Sequence, residues 1–298
     1  MSTPRARRTP PPSGLIIVDK PAGWTSHDVV SKMRGVAGTR KVGHAGTLDP
    51  MATGVLVVGV EKATRLLGHL ALTEKVYEAT IRLGVTTNTD DAEGEVTAVV
   101  AAGHVPDEGV HEGIAALTGP ILQVPPQVSA IKVNGERAYK RARAGEEVEL
   151  AARPVTVSGF EVTAIRRSAE TVDVDATITC SSGTYIRSLA RDLGAALGVG
   201  GHLTALRRTR VGPYGIDAAR TIDELARECV IMPIADAVAA AFPRRDVTEE
   251  EARLVAHGGR LPAAGVGPGP VGVFAPDGAL LALAEERAGA ARPLVVFA

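Results

Sequence analysis

One short segment, residues 42–54, places a single histidine and a single carboxylate among glycines. It reads V-G-H-A-G-T-L-D-P-M-A-T-G, with His44 and Asp49 close together and Pro50 directly after the aspartate. Glycine permits backbone conformations that other residues avoid, and Pro50 excludes Asp49 from the helical region. Because the apolar residues 55–60 follow at once, we expect a shaped loop that presents one carboxylate and is anchored by a buried strand. Such a carboxylate suits nucleophilic catalysis.

The segment has other possible explanations, which are an ordinary turn, a metal site or the motif of another enzyme class. Asp, Gly and Pro are turn residues for local reasons, so the segment could be an ordinary turn. His44 and Asp49 are metal-ligand types, but nothing in the sequence supplies further ligands. The G-x-S-x-G of serine hydrolases and the G-K-[ST] of a P-loop are absent, and residues 198–201 and 265–269 are only fragments of a dinucleotide fingerprint. We therefore expect no metal and no cofactor.

The order of residues in the segment resembles the catalytic signature of the TruB-type tRNA pseudouridine synthases, G-H-A-G-T-L-D-P followed by M-A-T-G-V-L. Further stretches are similar to that family in the same order along the chain. They are K-P-A-G-W-T-S at 20–26, Y-E-A-T-I-R-L-G-V-T-T-N-T-D at 77–90, the segment 125–145, G-T-Y-I-R at 183–187 and H-L-T-A-L-R-R at 202–208. The resemblance covers residues 15–210 and is weaker beyond them.

The resemblance implies both the reaction and its catalytic residues. Enzymes of this type isomerise the uridine at position 55, in the T arm of tRNA, to pseudouridine, with the aspartate of the motif as nucleophile, here Asp49. Tyr77 would pack on the uracil and remove a proton. Arg187 would pair with Asp49, and an adjacent guanidinium typically lowers an aspartate pKa by about 1–3 units, which keeps the nucleophile ionised.

The same resemblance implies how the RNA is held. The target uridine leaves its stack, His44 takes the vacated position, Tyr185 lines the pocket, and Leu206 contacts the base through its backbone. The candidate RNA-contacting cations are Lys20, Arg65, Arg207 and Arg208. Instead of contacting RNA, Lys20 could stabilise its own loop. Tyr77 could likewise be an ordinary core residue. The basic segment 137–143, with Tyr139 among its cations, suits a surface that follows an RNA backbone, although Tyr139 has the alternative of structural packing.

Hydrophobic periodicity predicts the elements that position these residues. Residues 15–18 form a short buried strand, and Thr25-Ser26 offers an N-cap to a short helix. A further helix is predicted over 63–70. Residues 75–83 alternate as a strand that places Tyr77 with its apolar set, and 172–180 alternate likewise. A helix follows from 185 to 197.

The fold class implied by the resemblance is α/β (α+β), a mixed, largely antiparallel sheet with flanking helices and a central RNA cleft. We predict a disordered tail at 1–13, a catalytic domain at 14–238 and a small C-terminal domain at 239–298. A helix at 247–257 and a hairpin of 271–274 with 280–284 make that last domain similar to a PUA module. Residues 211–298 carry 8 Lys and Arg against 12 Asp and Glu, whereas the preceding residues carry 25 against 22, so positive charge is concentrated where the motifs are.

Composition limits the remaining possibilities. The 298 residues are 45% hydrophobic and 22% charged, which is typical of a globular protein. The net charge of −1 argues against RNA binding by bulk charge alone. Two cysteines fit a reducing compartment, the N-terminus lacks a secretory signal, and no apolar run is long enough to span a membrane. We therefore expect a cytoplasmic monomer that needs no membrane and no protein partner, only tRNA.

Two alternatives to this function are open. The chain could bind and fold the T arm of tRNA as a chaperone, without catalysis. It could instead be a pseudouridine synthase that acts on another RNA. The joint presence of Asp49, Tyr77 and Arg187 argues against the chaperone as the sole role.

Overall fold

The computed structural model of the protein describes residues 10–127, 132–133, 136–137 and 150–297. Residues 1–9 of the predicted tail lie outside the described residues, as do Tyr139 and the cations from 138 to 143. The strands on either side of positions 134 and 135, Lys132–Val133 and Glu136–Arg137, pair in antiparallel fashion. Among the helices of the described ranges, none has the length and apolar character needed to cross a membrane.

Strands outnumber helices in the described part of the chain. The strands are β1 (Gly14–Lys20), β2 (Val42–Ala45), β3 (Thr53–Val60), β4 (Lys75–Leu83), β5 (Val85–Thr87), β6 (Val96–Val99), β7 (Gly119–Gln123), β8 (Lys132–Val133), β9 (Glu136–Arg137), β10 (Arg153–Arg167), β11 (Val172–Cys180), β12 (Gly201–Val211), β13 (Tyr214–Gly215), β14 (Arg220–Thr221), β15 (Met232–Pro233), β16 (Arg244–Asp246), β17 (Leu261–Pro262), β18 (Pro270–Phe274), β19 (Leu280–Arg287) and β20 (Ala290–Val296). The α-helices are α1 (Ser26–Ala37), α2 (Leu67–Leu70), α3 (Asp107–Ala116), α4 (Ile186–Ala196), α5 (Ile222–Arg227), α6 (Ile234–Ala241) and α7 (Glu249–Ala256).

The chain forms two compact units. The first consists of Met1–Asp49, Gly54–Leu72 and Val211–Ala298. The second consists of Pro50–Thr53 and Thr73–Arg210. The predicted α/β class, with largely antiparallel strand pairing and helices beside the strands, is confirmed.

In the first unit, β1 pairs with β3 in antiparallel register from Gly14 opposite Val60 onward, and β2 pairs with β3 in the same sense. The apolar residues 15–18 of β1 and 55–60 of β3 are buried on both faces of the strands. Successive side chains of a strand point to opposite faces. Leu15 and Ile17 accordingly lie in one core cluster, and Ile16 and Val18 lie in another, which also holds the buried face of α1.

The predicted N-cap and helix after β1 are confirmed. Thr25 accepts a hydrogen bond from the Asp28 backbone, and the Asp28 carboxylate accepts one from the Thr25 backbone, so the two residues form a capping box. Helix α1 ends at Gly38, whose left-handed φ of 68° suits a residue without a Cβ atom.

The predicted helix over residues 63–70 differs in kind. The chain forms a 3₁₀-helix at Glu61–Leu66 and only then the short α2. Thr64 Oγ1 donates to the Glu61 carbonyl oxygen at 2.8 Å. Such a side-chain bond to the backbone competes with the α-helical pattern, and periodicity alone does not reveal it.

The C-terminal strands form a sheet of their own, in the order β16-β18-β19-β20-β17. The predicted hairpin is confirmed as β18 and β19, and the predicted helix at 247–257 as α7. One apolar cluster joins Phe274, Leu283 and Phe297 from this region to Leu15 and Val55. Residues 211–298 thus belong to one compact unit with β1 and β3, and a separately folding domain at 239–298 stays a prediction.

The second unit is built on β4, β11, β10 and β7, which pair in that order and in antiparallel fashion. The predicted strands at 75–83 and 172–180 are confirmed as β4 and β11. Strand β4 alternates between buried and half-exposed or exposed residues, as its sequence indicates, and Tyr77 lies on the buried face opposite Ile178. The predicted helix after Gly183 is α4, with Tyr185 at its N-cap position.

Candidate active site

Asp49 lies in the irregular loop that follows β2 in the first unit, and it is half-buried. Gly46 in this loop has a φ of 75°, a left-handed conformation that favours glycine. A Cβ atom at Gly43, on β2, would lie 2.9 Å from Leu67 Cδ1, so a larger residue there would displace the end of the Leu67 side chain. The predicted shaped loop carrying one carboxylate is therefore present, and its glycines have steric reasons.

The residue before Asp49 is fixed through both of its backbone groups. The Leu48 N–H donates to Ser26 Oγ at 2.9 Å, and the Ser26 hydroxyl donates to the Leu48 carbonyl oxygen at 3.2 Å. Ser26 and Leu48 are both buried. Sequence reasoning had given Ser26 only a share in the N-cap. Its place one residue beyond a better cap, Thr25, was the available signal that its hydroxyl had another use.

His44 lies on β2, half-buried, and its ring meets that of His27 edge-on. The ring centroids are 5.7 Å apart and the planes are inclined by 77°. His27 is exposed on the first turn of α1. The predicted stacking of His44 in an RNA helix stays a prediction, and His27 is a neighbour that the motif did not indicate.

Lys20 is fully buried at the end of β1. Its Nζ donates to the carbonyl oxygens of Pro21 at 2.9 Å and Trp24 at 2.7 Å. Of the two roles considered for Lys20, the structure shows the stabilisation of its loop. Contact with RNA is not supported here, because a phosphate has no access to a side chain without exposed surface.

Arg65 is exposed but engaged with the last strand. Its Nη1 donates to the Val296 carbonyl oxygen at 2.8 Å, and its guanidinium carbon lies 5.3 Å from the centre of the Phe297 ring. An RNA contact by Arg65 stays a prediction, and the structure adds a structural role that joins residues 61–66 to the C-terminal strand.

In the second unit, Arg187 forms a buried ion pair that the sequence analysis did not contain. Arg187 Nη1 lies 3.3 Å from Asp91 Oδ2 and also donates to the Thr89 carbonyl oxygen at 2.9 Å. Arg187 and Asp91 are 4% and 3% exposed. Asp91 also accepts hydrogen bonds from Thr89 Oγ1 at 2.6 Å and from the Glu93 N–H at 3.1 Å. The predicted pairing of Arg187 with Asp49 stays a prediction, whereas its pairing with Asp91 is observed.

The neighbouring Asp90 completes the same loop. It adopts a left-handed φ of 60° and lies 3.3 Å from Arg191 Nη1. Burial raises the pKa of the Asp90 carboxyl above its ordinary value, and the Arg191 and Arg187 guanidinium groups oppose that rise. The adjacent carboxylates of Asp90 and Asp91 thus each pair with one arginine of α4, Asp90 with Arg191 and Asp91 with Arg187.

Tyr185 is half-exposed where α4 begins, and Gln123 holds its backbone on both sides. The Tyr185 N–H donates to Gln123 Oε1 at 2.8 Å, and Gln123 Nε2 donates to the Tyr185 carbonyl oxygen at 3.1 Å. Ser188 Oγ adds a bond to the Val124 carbonyl oxygen at 2.9 Å. The end of β7 therefore fixes the start of α4. Gln123 is a further residue whose role the sequence did not indicate.

Strand β12 separates the residues of the H-L-T-A-L-R-R motif onto two faces. Leu206 and Arg208 are buried, with Arg208 only 1% exposed, whereas Arg207 is half-exposed and its Nη1 lies 3.3 Å from Thr53 Oγ1. Arg207 is thus in a position open to phosphate. The position of Arg208 does not support a phosphate contact, because its side chain lies in the interior.

Buried beside Arg208 is a second cation, Lys75. Burial, together with the Arg208 charge, lowers the pKa of Lys75 to about 8. The unfolded chain therefore binds more protons than the folded chain above pH 8, and stability rises with pH there. Burial also raises the pKa of the neighbouring Cys180 to about 11, so above pH 9 the unfolded chain loses the thiol proton first and this offsets the rise from Lys75.

We expect the free energy of unfolding to rise by about 1 kcal/mol between pH 8 and pH 9. Urea unfolding at both pH values measures it, with Lys75→Met as the comparison. The methionine variant should lose this rise, and the same rise in both proteins would show that Lys75 does not titrate in this range.

Among the described residues, no group of three or more His, Cys, Asp or Glu side chains is arranged to hold a metal ion.

Comparisons with known proteins cover most of the chain. Residues 34–186 match the model of the TruB family pseudouridylate synthase N-terminal domain. Residues 187–238 match the tRNA pseudouridylate synthase B C-terminal domain, and residues 242–298 match the C-terminal model of tRNA pseudouridine synthase II. The last two matches meet close to the predicted boundary at 239.

Relatives are similar along nearly their full length. The tRNA pseudouridine synthase B of Thermobifida fusca (strain YX) is 69% identical, covering 96% of this chain and 98% of the relative. That of Streptomyces coelicolor is 63% identical, covering 96% and 97%. Among solved structures, a Cbf5-Nop10-Gar1 complex gives a TM-score of 0.72 at 29% identity, covering 95% of this chain and 84% of that one. On these matches the chain belongs to the TruB family of pseudouridylate synthases.

Proposed function

We propose that this protein isomerises a uridine of tRNA to pseudouridine, and that its target is the uridine at position 55 in the T arm. The observation that carries the proposal is the 69% identity to a tRNA pseudouridine synthase B over 96% of the chain. The geometry supports it, because Asp49 is half-buried on a loop whose preceding residue is held through two hydrogen bonds.

The reaction asks for little beyond these groups. The N-glycosidic bond breaks, the base turns, and a carbon–carbon bond forms between C5 of the uracil and C1′ of the ribose, with no net redox change. A nucleophile must hold one fragment, and a base must then remove the C5 proton. Asp49 supplies the nucleophile, either at C1′, directly or after elimination, or at C6 of the uracil. We favour C1′ from the family resemblance.

The uridine must leave its stack before Asp49 can reach it, which costs on the order of a few kcal/mol. Flat side chains offset this cost. His44 fills the vacated position, Tyr77 packs on the uracil, and Tyr185 lines the pocket together with the backbone of Leu206. The backbone of Tyr185 is already fixed by Gln123, so little ordering is required at that point when RNA binds.

The experiment that tests the function is tritium release from T-arm RNA labelled at C5 of its uridine. Release and the appearance of pseudouridine in the digested product support the proposal, and RNA with cytidine at the target position serves as the control. Tight binding without release would favour the T-arm chaperone. Release from other RNA but not from the T arm would favour a synthase with a different substrate.

Replacement of Tyr77 by phenylalanine tests its proposed role in proton removal. The ring still packs in the core, so we expect RNA binding and stability close to wild type while tritium release slows by about 10²-fold or more. Single-turnover release measures the step directly. A Tyr77→Phe variant with the wild-type rate would leave Tyr77 as a core residue alone.

Arg207 and Arg208 are neighbours that differ in burial, so together they test whether phosphate contact requires the half-exposed arginine. Replacement of Arg207 by alanine should weaken binding and reduce the slope of log K against log salt by about 1, the effect of one lost phosphate contact. Arg208→Ala should leave that slope unchanged and lower stability, because the side chain is buried. Filter binding at several salt concentrations measures both, and equal slopes for wild type and Arg207→Ala would place Arg207 away from phosphate.

A further inference from the structure

The first turn of α1 contacts the loop of Asp49 at two points. Ser26 is bonded to both backbone groups of Leu48, directly before Asp49. His27, the next residue of the same turn, meets the ring of His44, where the loop leaves β2. The loop between these two contacts contains Gly46, which has a left-handed φ of 75°. Glycine permits many backbone conformations, so contacts from α1 help to set the shape of the loop.

The turn that makes these contacts is itself well anchored. The capping box between Thr25 and Asp28 closes its N-terminus, and Lys20 binds the Trp24 carbonyl oxygen at 2.7 Å just before it. Val29 and Met33, which follow on α1, are fully buried in the core cluster shared with β1 and β3. The first turn is thus a fixed reference point for the loop.

We propose that Ser26 is a positioning residue for Asp49. This rests on the proposed function, since it assigns Ser26 a part in setting the nucleophile. The Ser26 hydroxyl donates one hydrogen bond and accepts another, so it satisfies both polar groups of the Leu48 backbone at a site closed to water. The Leu48 carbonyl belongs to the peptide plane that Leu48 shares with Asp49, so a change in its direction rotates the Asp49 backbone, while the bond to the Leu48 N–H fixes the preceding peptide plane.

A residue without a hydroxyl would change this arrangement. Alanine at position 26 leaves the Leu48 N–H and carbonyl buried without these partners, and buried backbone groups are nearly always paired. The loop would then shift until each group found water or another partner. A displacement of about 1 Å at a reacting group reduces turnover by about 100-fold.

The test compares Ser26→Ala, Ser26→Thr and Thr25→Ala with wild type. Thr25→Ala is the matched control, because it removes the capping box of the same turn without touching Leu48. We expect Ser26→Ala to lower kcat for T-arm RNA by about 10- to 100-fold with KM nearly unchanged. Ser26→Thr restores a hydroxyl and should recover much of that loss. Thr25→Ala should keep kcat, because Lys20 and the buried residues of α1 still anchor the turn, while lowering the urea midpoint.

Hydrogen exchange of the Leu48 amide gives a readout that does not depend on catalysis. Its protection should fall by at least about tenfold in Ser26→Ala, beyond any fall in global stability, and should be retained in Thr25→Ala. Unchanged Leu48 protection in Ser26→Ala would overturn the proposal, as would an equal loss of kcat in both alanine variants. If wild type itself releases no tritium, the proposed function fails, and Leu48 exchange still decides whether Ser26 fixes the loop.

Discussion

An Asp49→Asn variant should bind T-arm RNA with close to wild-type affinity and release no measurable tritium from it. Asparagine keeps the size of the side chain but is not a nucleophile at either carbon proposed for attack. Loss of a nucleophile typically lowers kcat by about 10⁴-fold or more. Single-turnover tritium release with enzyme in excess measures the rate, and filter binding of the same RNA measures affinity.

The control for this variant is Glu78→Gln, which removes one exposed carboxylate from β4. That variant should retain the wild-type rate, which would show that loss of a negative charge as such does not stop turnover. If Asp49→Asn instead released tritium at the wild-type rate, Asp49 would not be the nucleophile. A loss of RNA binding in Asp49→Asn would mean that the carboxylate acts in recognition before it acts in chemistry.

An Arg187→Met variant should lose about 3–5 kcal/mol in the free energy of unfolding, because it leaves Asp91 charged and buried without its ion-pair partner. Methionine is chosen because it fills much of the space of the arginine stem. Urea unfolding measures the loss. The single variant Asp91→Asn should also be destabilised, since it leaves the buried guanidinium without this carboxylate.

The double variant Asp91→Asn with Arg187→Met should recover a large part of that stability, since neither charge is then left alone. The coupling energy follows from the four proteins. Near-additive losses would show that the ion pair contributes little and that Arg187 is held by its other contacts, such as the Thr89 carbonyl.

The same double variant separates the structural role of Arg187 from its predicted catalytic role. If Arg187 also supports the chemistry at Asp49, a stable double variant should turn over more slowly than wild type. A stable double variant with the wild-type rate and pH profile would confine Arg187 to its structural role with Asp91.

The sequence by itself determined the family, the loop of Asp49 and most of the elements around it. Family-like motifs stand in order along the chain, and their glycines and proline dictate local backbone geometry. Alternation in residues 75–83 placed Tyr77 on a buried face, and Thr25 marked the start of a helix. These are features of neighbouring residues, so periodicity and spacing report them.

Only the tertiary structure decided which distant groups meet. The Arg187–Asp91 pair spans about a hundred residues of sequence, and Ser26 reaches Leu48 across 22. Lysine and arginine are usually exposed, so the sequence suggested surface positions for Lys20 and Arg208, yet both lie in the interior. Burial and long-range pairing depend on how strands and helices pack, and the type of a residue does not reveal which distant residue it will contact. The loop of Asp49 could be predicted from the sequence, whereas the hydrogen bonds that hold it could not.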